Sequence, residues 1–216
     1  MAYWAETWRS NNPDYEYILW DDAENRRFVA DKFSWFLPTY DSYDVEIKRA
    51  DAIRYMFLYT YGGIYADMDF ECLKPFDSLL EEYGRYDIIL GKMDSGTQSS
   101  LSNTQWHSSN NIPNAIMISK PGCDFWIRVL QRMVVKATTP GRPEVQTGPI
   151  VLKEVYSSSW TESIKLLSPE ILYPISWVTD EDERLAALKA DEHSLTQTMK
   201  SKYPSSYAVT YWAHSW

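Results

Sequence analysis

The sequence predicts a single α/β domain in which short buried strands alternate with helices. Its 216 residues are the length of one domain with a sizeable core. Hydrophobic residues make up 44% of the chain, and 10 Trp, 16 Tyr and 7 Phe exclude intrinsic disorder. We therefore expect residues 1–216 to form one domain, with a sheet flanked by helices and without internal repeats or linkers.

The first quarter of the chain is predicted to be mostly helical. Trp4 and Trp8 share one face of a short opening helix, because they are four residues apart. Local patterns then predict, in chain order, a helix end at Asn12-Pro13, a strand over 15–20, a helix over 23–33 capped by Asp21 or Asp22, and a turn-rich connection over 37–43.

The clearest helix covers 46–61, where apolar residues recur at helical spacing and Gly62-Gly63 provides a stop. A polar loop over 95–111 is a candidate substrate loop because of its length and its Ser, Asn, Thr and Gln content. The remaining predicted elements are strands over 64–68, 87–91, 114–119 and 207–212, and helices over 124–136, 149–156 and 180–191, the last capped by Thr179.

Charge and cysteine content narrow the functional classes. With 21 Lys and Arg against 30 Asp and Glu, the net charge is −9, which argues against general nucleic-acid binding. The apolar runs are too short for a membrane-spanning helix, and residues 1–10 lack the basic start of a secretory signal. Cys72 and Cys123 form no disulfide framework. We therefore expect a cytoplasmic protein, with at most peripheral contact with a membrane.

An acidic pair, Asp67 and Asp69, follows the predicted strand over 64–68. The alternation of a strand would send both side chains to one face, near the carboxyl end of the strand, where open α/β sheets bind ligands. Two adjacent carboxylates suit Mg²⁺ or Mn²⁺, which prefer hard oxygen ligands and can bridge a diphosphate. The other interpretation of the pair alone is a solvated strand end.

The preceding helix carries Asp51 and Arg54 three residues apart, on a face that leads to the double glycine. Arg54 could hold a phosphate or a sugar hydroxyl, with Asp51 orienting it. An ordinary ion pair within the helix explains the spacing equally well.

Residues 49–69, RADAIRYMFLYTYGGIYADMD, followed by CLKPFD, resemble the sugar-binding segment of glycosyltransferase family 32. That family includes capsular and lipopolysaccharide transferases and inositol phosphorylceramide mannosyltransferases. The resemblance extends to NNPDYEYILWDD upstream, and to NAIMISKPG, the Thr147-Gly148-Pro149 turn and the C-terminal YAVTYWAHSW downstream.

The resemblance implies a GT-A-like, nucleotide-sugar-binding sheet and a hexosyltransferase that uses Mn²⁺ or Mg²⁺ and retains the anomeric configuration. It implies a UDP-hexose or GDP-mannose donor and a glycan or glycolipid acceptor. Carried over, Asp67 and Asp69 bind the metal and diphosphate, with His214 as a further candidate metal ligand, and Asp51 and Arg54 contact the donor. The other implied donor or acceptor contacts are Tyr65, Asn114, Thr147, Gly148, Ser215 and Trp216.

Two departures from the family pattern accompany this resemblance. The chain starts within the helix that carries Trp8, without the strand that precedes it in the family, and Thr210 stands where a His is common. We expect residues 207–216 to close over the donor. A non-catalytic protein that binds nucleotide sugars or glycans is the alternative function. A haloacid-dehalogenase-type phosphohydrolase is disfavoured. Enzymes of that type normally have Thr or Val two residues after the second Asp, where this chain has Glu71.

Overall fold

The computed structural model describes residues 2–93, 111–158, 161–176, 180–189 and 191–213. Within them the helices are α1 Ala2–Asn11, α2 Asp22–Lys32, α3 Leu37–Ser42, α4 Glu46–Thr60, α5 Asp77–Tyr83, α6 Asp124–Lys136, α7 Pro143–Gln146, α8 Pro149–Ser158, α9 Pro169–Leu172, α10 Glu181–Ala187 and α11 Glu192–Lys202. The strands are β1 Gly63–Ala66, β2 Phe70–Cys72, β3 Ile88–Gly91, β4 Ile116–Ser119, β5 Ile164–Leu167 and β6 Ala208–Thr210.

Four strands form a central mixed sheet in the order β1-β4-β3-β5. Strand β4 is antiparallel to both of its neighbours, and β3 and β5 are parallel. The short strands β2 and β6 make a separate antiparallel ribbon, in which Phe70 pairs with Thr210 and Cys72 with Ala208. The predicted α/β fold, a sheet flanked by helices, is confirmed.

One layer of the core lies around α6, which packs against both α4 and α8. Trp126 of α6 is fully buried, stacks on Tyr55 of α4 at 5.8 Å between ring centroids, and donates from Nε1 to Ser119 Oγ of β4 at 2.8 Å. A buried indole needs such a partner for its N–H. This contact fixes α4 and α6 relative to β4.

Helix α1 packs on the β2–β6 ribbon rather than on the central sheet. Trp8 donates from Nε1 to the carbonyl of Phe70 at 3.0 Å, and Thr7 Oγ1 accepts from the amide of Cys72 at 2.9 Å. The edge of β2 is therefore covered by side chains of α1, which satisfy backbone groups that the short ribbon leaves unpaired.

Three elements predicted from the sequence differ in the structure. Residues 15–20 form no strand, and Ile18 and Leu19 are 51% and 61% exposed, because no described strand lies beside them. The 37–43 connection is helical over Leu37–Ser42, with Pro38 in the first turn, where proline is tolerated. The helix predicted over 180–191 ends at Ala187, and a second helix begins at Glu192, because Asp191 caps it by accepting from Ser194 N at 3.1 Å.

Other boundaries agree or differ by a few residues. Helix α6 has the predicted limits, and α2, α4 and α8 differ by one or two residues. The predicted strands are shorter than expected, and β1 ends at Ala66, before the acidic pair. The proposed cap Thr179 and residues 95–110 of the predicted polar loop lie outside the described residues.

The double glycine between α4 and β1 provides a matched pair of substitutions. Both residues have positive φ, 68° at Gly62 and 83° at Gly63, but a Cβ on Gly62 would lie 2.7 Å from Pro121 N and Ser119 O, whereas one on Gly63 would meet nothing within 4 Å. We expect Gly63→Ala to cost about 1–2 kcal/mol of backbone strain, and Gly62→Ala at least about 1 kcal/mol more from overpacking. Urea unfolding of both variants measures this difference, and equal losses would contradict the described turn.

Candidate functional site

A cavity of about 250 Å³ lies where α4, the turn after β1, the α7–α8 segment and the residues after β6 meet. Its lining includes four carboxylate residues and a single Arg. The lining residues are Ile47, Asp51, Arg54, Asp67, Asp69, Pro113, Asn114, Ala115, Pro143, Glu144, Gly148, Pro149 and Trp212. Such a concave site with a few convergent polar groups is the usual form of a small-molecule site.

The acidic pair lies in a turn between β1 and β2, not in a strand. The amide of Asp67 donates to Ala115 O at 2.8 Å, and the amide of Phe70 donates back to Asp67 O at 3.1 Å. Strand alternation therefore does not align the two side chains as the sequence suggested. The turn does so, because both Asp67 and Asp69 line the cavity.

Tyr65 and Arg54 both contact the same carboxylate oxygen of Asp67. Its Oδ1 accepts from Tyr65 Oη at 2.8 Å and lies 3.3 Å from Arg54 Nη1. Burial raises the pKa of Asp67 to about 6, with Asp69 adding to the rise and Arg54 opposing it. Because these contacts fall on Oδ1, the second oxygen remains for a ligand.

Asp69 connects the same turn to the C-terminal segment. Its Oδ2 accepts from the amide of Ala213 at 3.0 Å, and the residue is buried. The carboxylate is therefore fixed by a residue 144 positions later in the chain. The position of Asp69 depends on how the segment after β6 packs.

Asp51 is the centre of a buried hydrogen-bond network. Its Oδ1 accepts from Asn114 Nδ2 at 2.9 Å and faces Arg54 Nη2 at 3.1 Å, while Oδ2 accepts from Thr147 Oγ1 at 2.6 Å. Tyr55 completes the network, accepting from Asn114 and donating to the carbonyl of Thr147. Burial raises the pKa of Asp51 against the effect of these partners.

Arg54 joins this network to the acidic turn. Its Nη1 donates to the carbonyl of Asn114 at 2.7 Å and faces Asp67, its Nη2 faces Asp51, and its Nε donates to the carbonyl of Ala50 at 3.3 Å. Burial alone would lower the pKa of Arg54. The neighbouring carboxylates outweigh this effect, so the pKa lies above its usual range. The guanidinium is therefore a permanent cation that bridges two carboxylates.

Most of the residues predicted to form a site meet around this cavity. Tyr65 and Thr147 lie behind the lining, where they hold Asp67 and Asp51. The predicted residues that line the cavity are Asp51, Arg54, Asp67, Asp69, Asn114 and Gly148. His214, Ser215 and Trp216, predicted to bind metal or donor, lie outside the described residues.

Among the charged and aromatic residues that line the cavity, Glu144 was not predicted from the sequence, and Trp212 was predicted only as part of the C-terminal segment 207–216. Trp212 has φ 51°, an uncommon conformation for a bulky residue, and it stacks on Tyr173 at 5.9 Å between ring centroids. Its Nε1 donates to Ile175 O at 3.0 Å. The aromatic richness of the C-terminus was a signal for Trp212, whereas an isolated Glu in a Pro-rich turn gives none.

The carboxylate oxygens of the acidic turn suit a small divalent cation. Asp67 and Asp69 present carboxylate oxygens, and Mg²⁺-type ions in proteins commonly take one or two carboxylates with substrate phosphates and water as the other ligands. Over the described residues, no group of three or more His, Cys, Asp or Glu could hold a metal ion.

Comparison with known proteins agrees with this geometry. Residues 1–86 match the family model of the glycosyltransferase sugar-binding region containing a DXD motif. Inositol phosphoceramide mannosyltransferase 2 of Schizosaccharomyces pombe is 55% identical over 69 residues, which are 32% of this chain and 20% of that protein. Mannosyl phosphorylinositol ceramide synthase CSH1 of Saccharomyces cerevisiae is 31% identical over 176 residues, 77% of this chain and 41% of that protein. The chain thus spans less than half the length of either relative.

Among solved structures, the PaToxG glycosyltransferase superposes with a TM-score of 0.48 and 15% identity, covering 96% of this chain and 82% of that one.

The sequence comparisons support the class: residues 1–86 match a glycosyltransferase sugar-binding region, and Asp67-Met68-Asp69 is the DXD motif within that match. They support the predicted resemblance to family 32, and the relatives bear the names of mannosyltransferases. In the described part of the chain, every helix is too short or too polar to span a bilayer.

The network around Asp51 predicts a stability effect at Thr147. Thr147→Val keeps the shape of the side chain but removes the donor to Asp51 Oδ2, so a buried carboxylate oxygen loses its partner. We expect a loss of about 1–3 kcal/mol in the free energy of unfolding. Thr198→Val is the matched control, because that exposed hydroxyl bonds only to the carbonyl of Ser194 in its own helix. Denaturant unfolding compares the two, and losses of equal size would refute the role of Thr147.

Proposed function

We propose that this chain is the donor-binding and catalytic part of a metal-dependent glycosyltransferase. It would move a hexose from a nucleotide sugar to a glycan or glycolipid, with retention at the anomeric carbon. The observation that carries the proposal is the meeting of both DXD carboxylates, Asp67 and Asp69, with the Asp51–Arg54 pair in one cavity.

The donor we propose is GDP-mannose or a UDP-hexose. The names of the relatives favour mannose and an inositol phosphoceramide acceptor. An acceptor of that kind lies in a membrane, so the chain would act at a membrane surface through peripheral contact.

The charge of the cavity supports the need for a cation. Asp51, Asp67, Asp69 and Glu144 contribute four carboxylates against one guanidinium, that of Arg54. A diphosphate would be repelled from this lining unless a cation accompanied it. Mn²⁺ or Mg²⁺ held by Asp67 and Asp69 would offset the charge of the diphosphate as it leaves.

The chain's own residues would prepare this site before the donor binds. Arg54 keeps Asp67 oriented through Oδ1, and the amide of Ala213 does the same for Asp69. The network of Asp51, Asn114 and Thr147 keeps α4 next to the α7–α8 segment. Because these contacts are made by the protein itself, they would hold the carboxylates in place and limit the reorganisation needed at the reaction step.

The first test removes one carboxylate of the DXD pair at a time. We expect Asp67→Asn and Asp69→Asn each to lower nucleotide-sugar turnover by about 10²-fold or more, because the developing diphosphate charge loses its cation. Release of nucleotide from GDP-mannose and UDP-glucose with Mn²⁺ is the measurement. Asp182→Asn is the control, because Asp182 is an exposed residue of α10 that does not line the cavity.

Unchanged Mn²⁺-dependent turnover in either variant would reject the assignment. A wild-type chain that binds the donor but never releases nucleotide would instead favour the non-catalytic, sugar-binding alternative.

The raised pKa of Asp67 makes cation binding depend on pH. Above pH 6 the group is mostly ionised and can bind a cation, whereas below its pKa of about 6 a proton competes with the metal. Mn²⁺ affinity should therefore fall by about tenfold between pH 7 and pH 5. Calorimetric titration with MnCl₂ at both pH values tests this, and an affinity that is the same at both would contradict it.

A further inference from the structure

Glu144 in α7 has a carboxyl group that the fold does not satisfy. Its Oε2 is buried yet accepts no hydrogen bond from the protein, and no described Lys, Arg or His pairs with it. A buried carboxylate oxygen without a donor is costly, so native proteins rarely leave one without a purpose. Because Glu144 also lines the cavity, a ligand could supply the missing donor.

The other carboxylates of the cavity already have protein donors. Asp51 accepts from Asn114 and Thr147, and Asp69 accepts from the amide of Ala213. Asp67 accepts from Tyr65. Of the four, Glu144 is the one with a buried oxygen, Oε2, that has no hydrogen-bond donor.

The backbone around Glu144 is held close to α4. A Cβ on Gly148 would lie 3.0 Å from Glu144 Cα and 3.5 Å from Asp51 Oδ2, so the absence of a side chain there lets α7 approach Asp51. The amides of Thr147 and Gly148 both donate to Pro143 O at 2.9 Å, which fixes this turn. Glu144 therefore starts from a rigid position beside the Asp51 network.

The charge of the Glu144 carboxylate limits which group of a ligand can bind to it. It repels phosphate oxygens, and Glu144 does not join the DXD pair in any three-residue group suited to a metal within the described chain. Sugar hydroxyls are neutral donors and form strong hydrogen bonds to a carboxylate. The matching ligand group is therefore a hydroxyl of the sugar ring rather than the diphosphate.

We propose that Glu144 accepts a hydrogen bond from a ring hydroxyl of the donor sugar and helps to determine which hexose the site takes. This assignment rests on the proposed function, since it presumes a nucleotide sugar in the cavity. It adds a sugar-contacting residue to a site whose other acidic side chains are held by the protein itself.

The test separates the sugar from the nucleotide. Binding of GDP-mannose and GDP, and of UDP-glucose and UDP, is measured by titration calorimetry in Mn²⁺ for wild type, Glu144→Gln and Glu144→Ala. Glu46→Gln is the charge-matched control, because Glu46 is exposed at the start of α4 and does not line the cavity. Melting temperatures of all four proteins are recorded alongside.

We expect the nucleotide sugar that wild type prefers to bind about tenfold more weakly to Glu144→Gln, and at least as weakly to Glu144→Ala. The matching free nucleotide should bind within about twofold of wild type, because the lost contact is to the sugar. The melting temperature of Glu144→Gln should not fall, since Oε2 has no protein partner to lose. The Glu46 control should behave like wild type in every measurement.

Three results would overturn the assignment while leaving the proposed function intact: unchanged affinity for the nucleotide sugar, an equal change for sugar-bearing and sugar-free nucleotides, or a lower melting temperature that points to a structural role. A wild-type chain that binds none of the four nucleotides would instead reject the proposed function, and Glu144 as a sugar contact with it.

Discussion

The buried guanidinium of Arg54 is the interaction on which the site depends. It lies between Asp51 on its own helix and Asp67 on the turn after β1, at 3.1 and 3.3 Å. Removing one partner of such a buried pair leaves an uncompensated charge, whereas all three together tolerate burial. Arg54 also donates to the carbonyl of Asn114, which precedes β4. One side chain therefore couples α4, the acidic turn and the start of a central strand.

This arrangement explains why acidic groups can be concentrated in a small cavity. Burial raises the pKa of Asp51 and of Asp67, while Arg54 acts against the rise in both. Tyr65 and Thr147 donate to the same two carboxylates from behind the cavity wall. The protein thus satisfies both oxygens of Asp51 and Oδ1 of Asp67 by its own donors.

The sequence was sufficient to predict the fold class and the long helices, because the apolar spacing in 46–61 and 124–136 is unambiguous. It also predicted Asp51, Arg54, Asp67 and Asp69 as one group, since a helix, a double glycine and an acidic pair follow each other closely in the chain. The three-residue strand β2 was not predicted, and β6 was predicted longer than it is, because both depend on pairing between residues about 140 positions apart. Glu144 could not be found from sequence, since only the tertiary structure shows that its oxygen has no partner.

The hydrogen bond between Ala213 and Asp69 has a consequence for biosynthesis. Asp69 leaves the ribosome 144 residues before the amide that fixes its carboxylate, and β2 likewise waits for β6. The sheet layer around α4 and α6 can assemble during translation, whereas the acidic turn stays incomplete until the segment after β6 is released. During synthesis, the central sheet and its helices are therefore complete in the chain before the acidic turn gains the hydrogen bond that fixes Asp69.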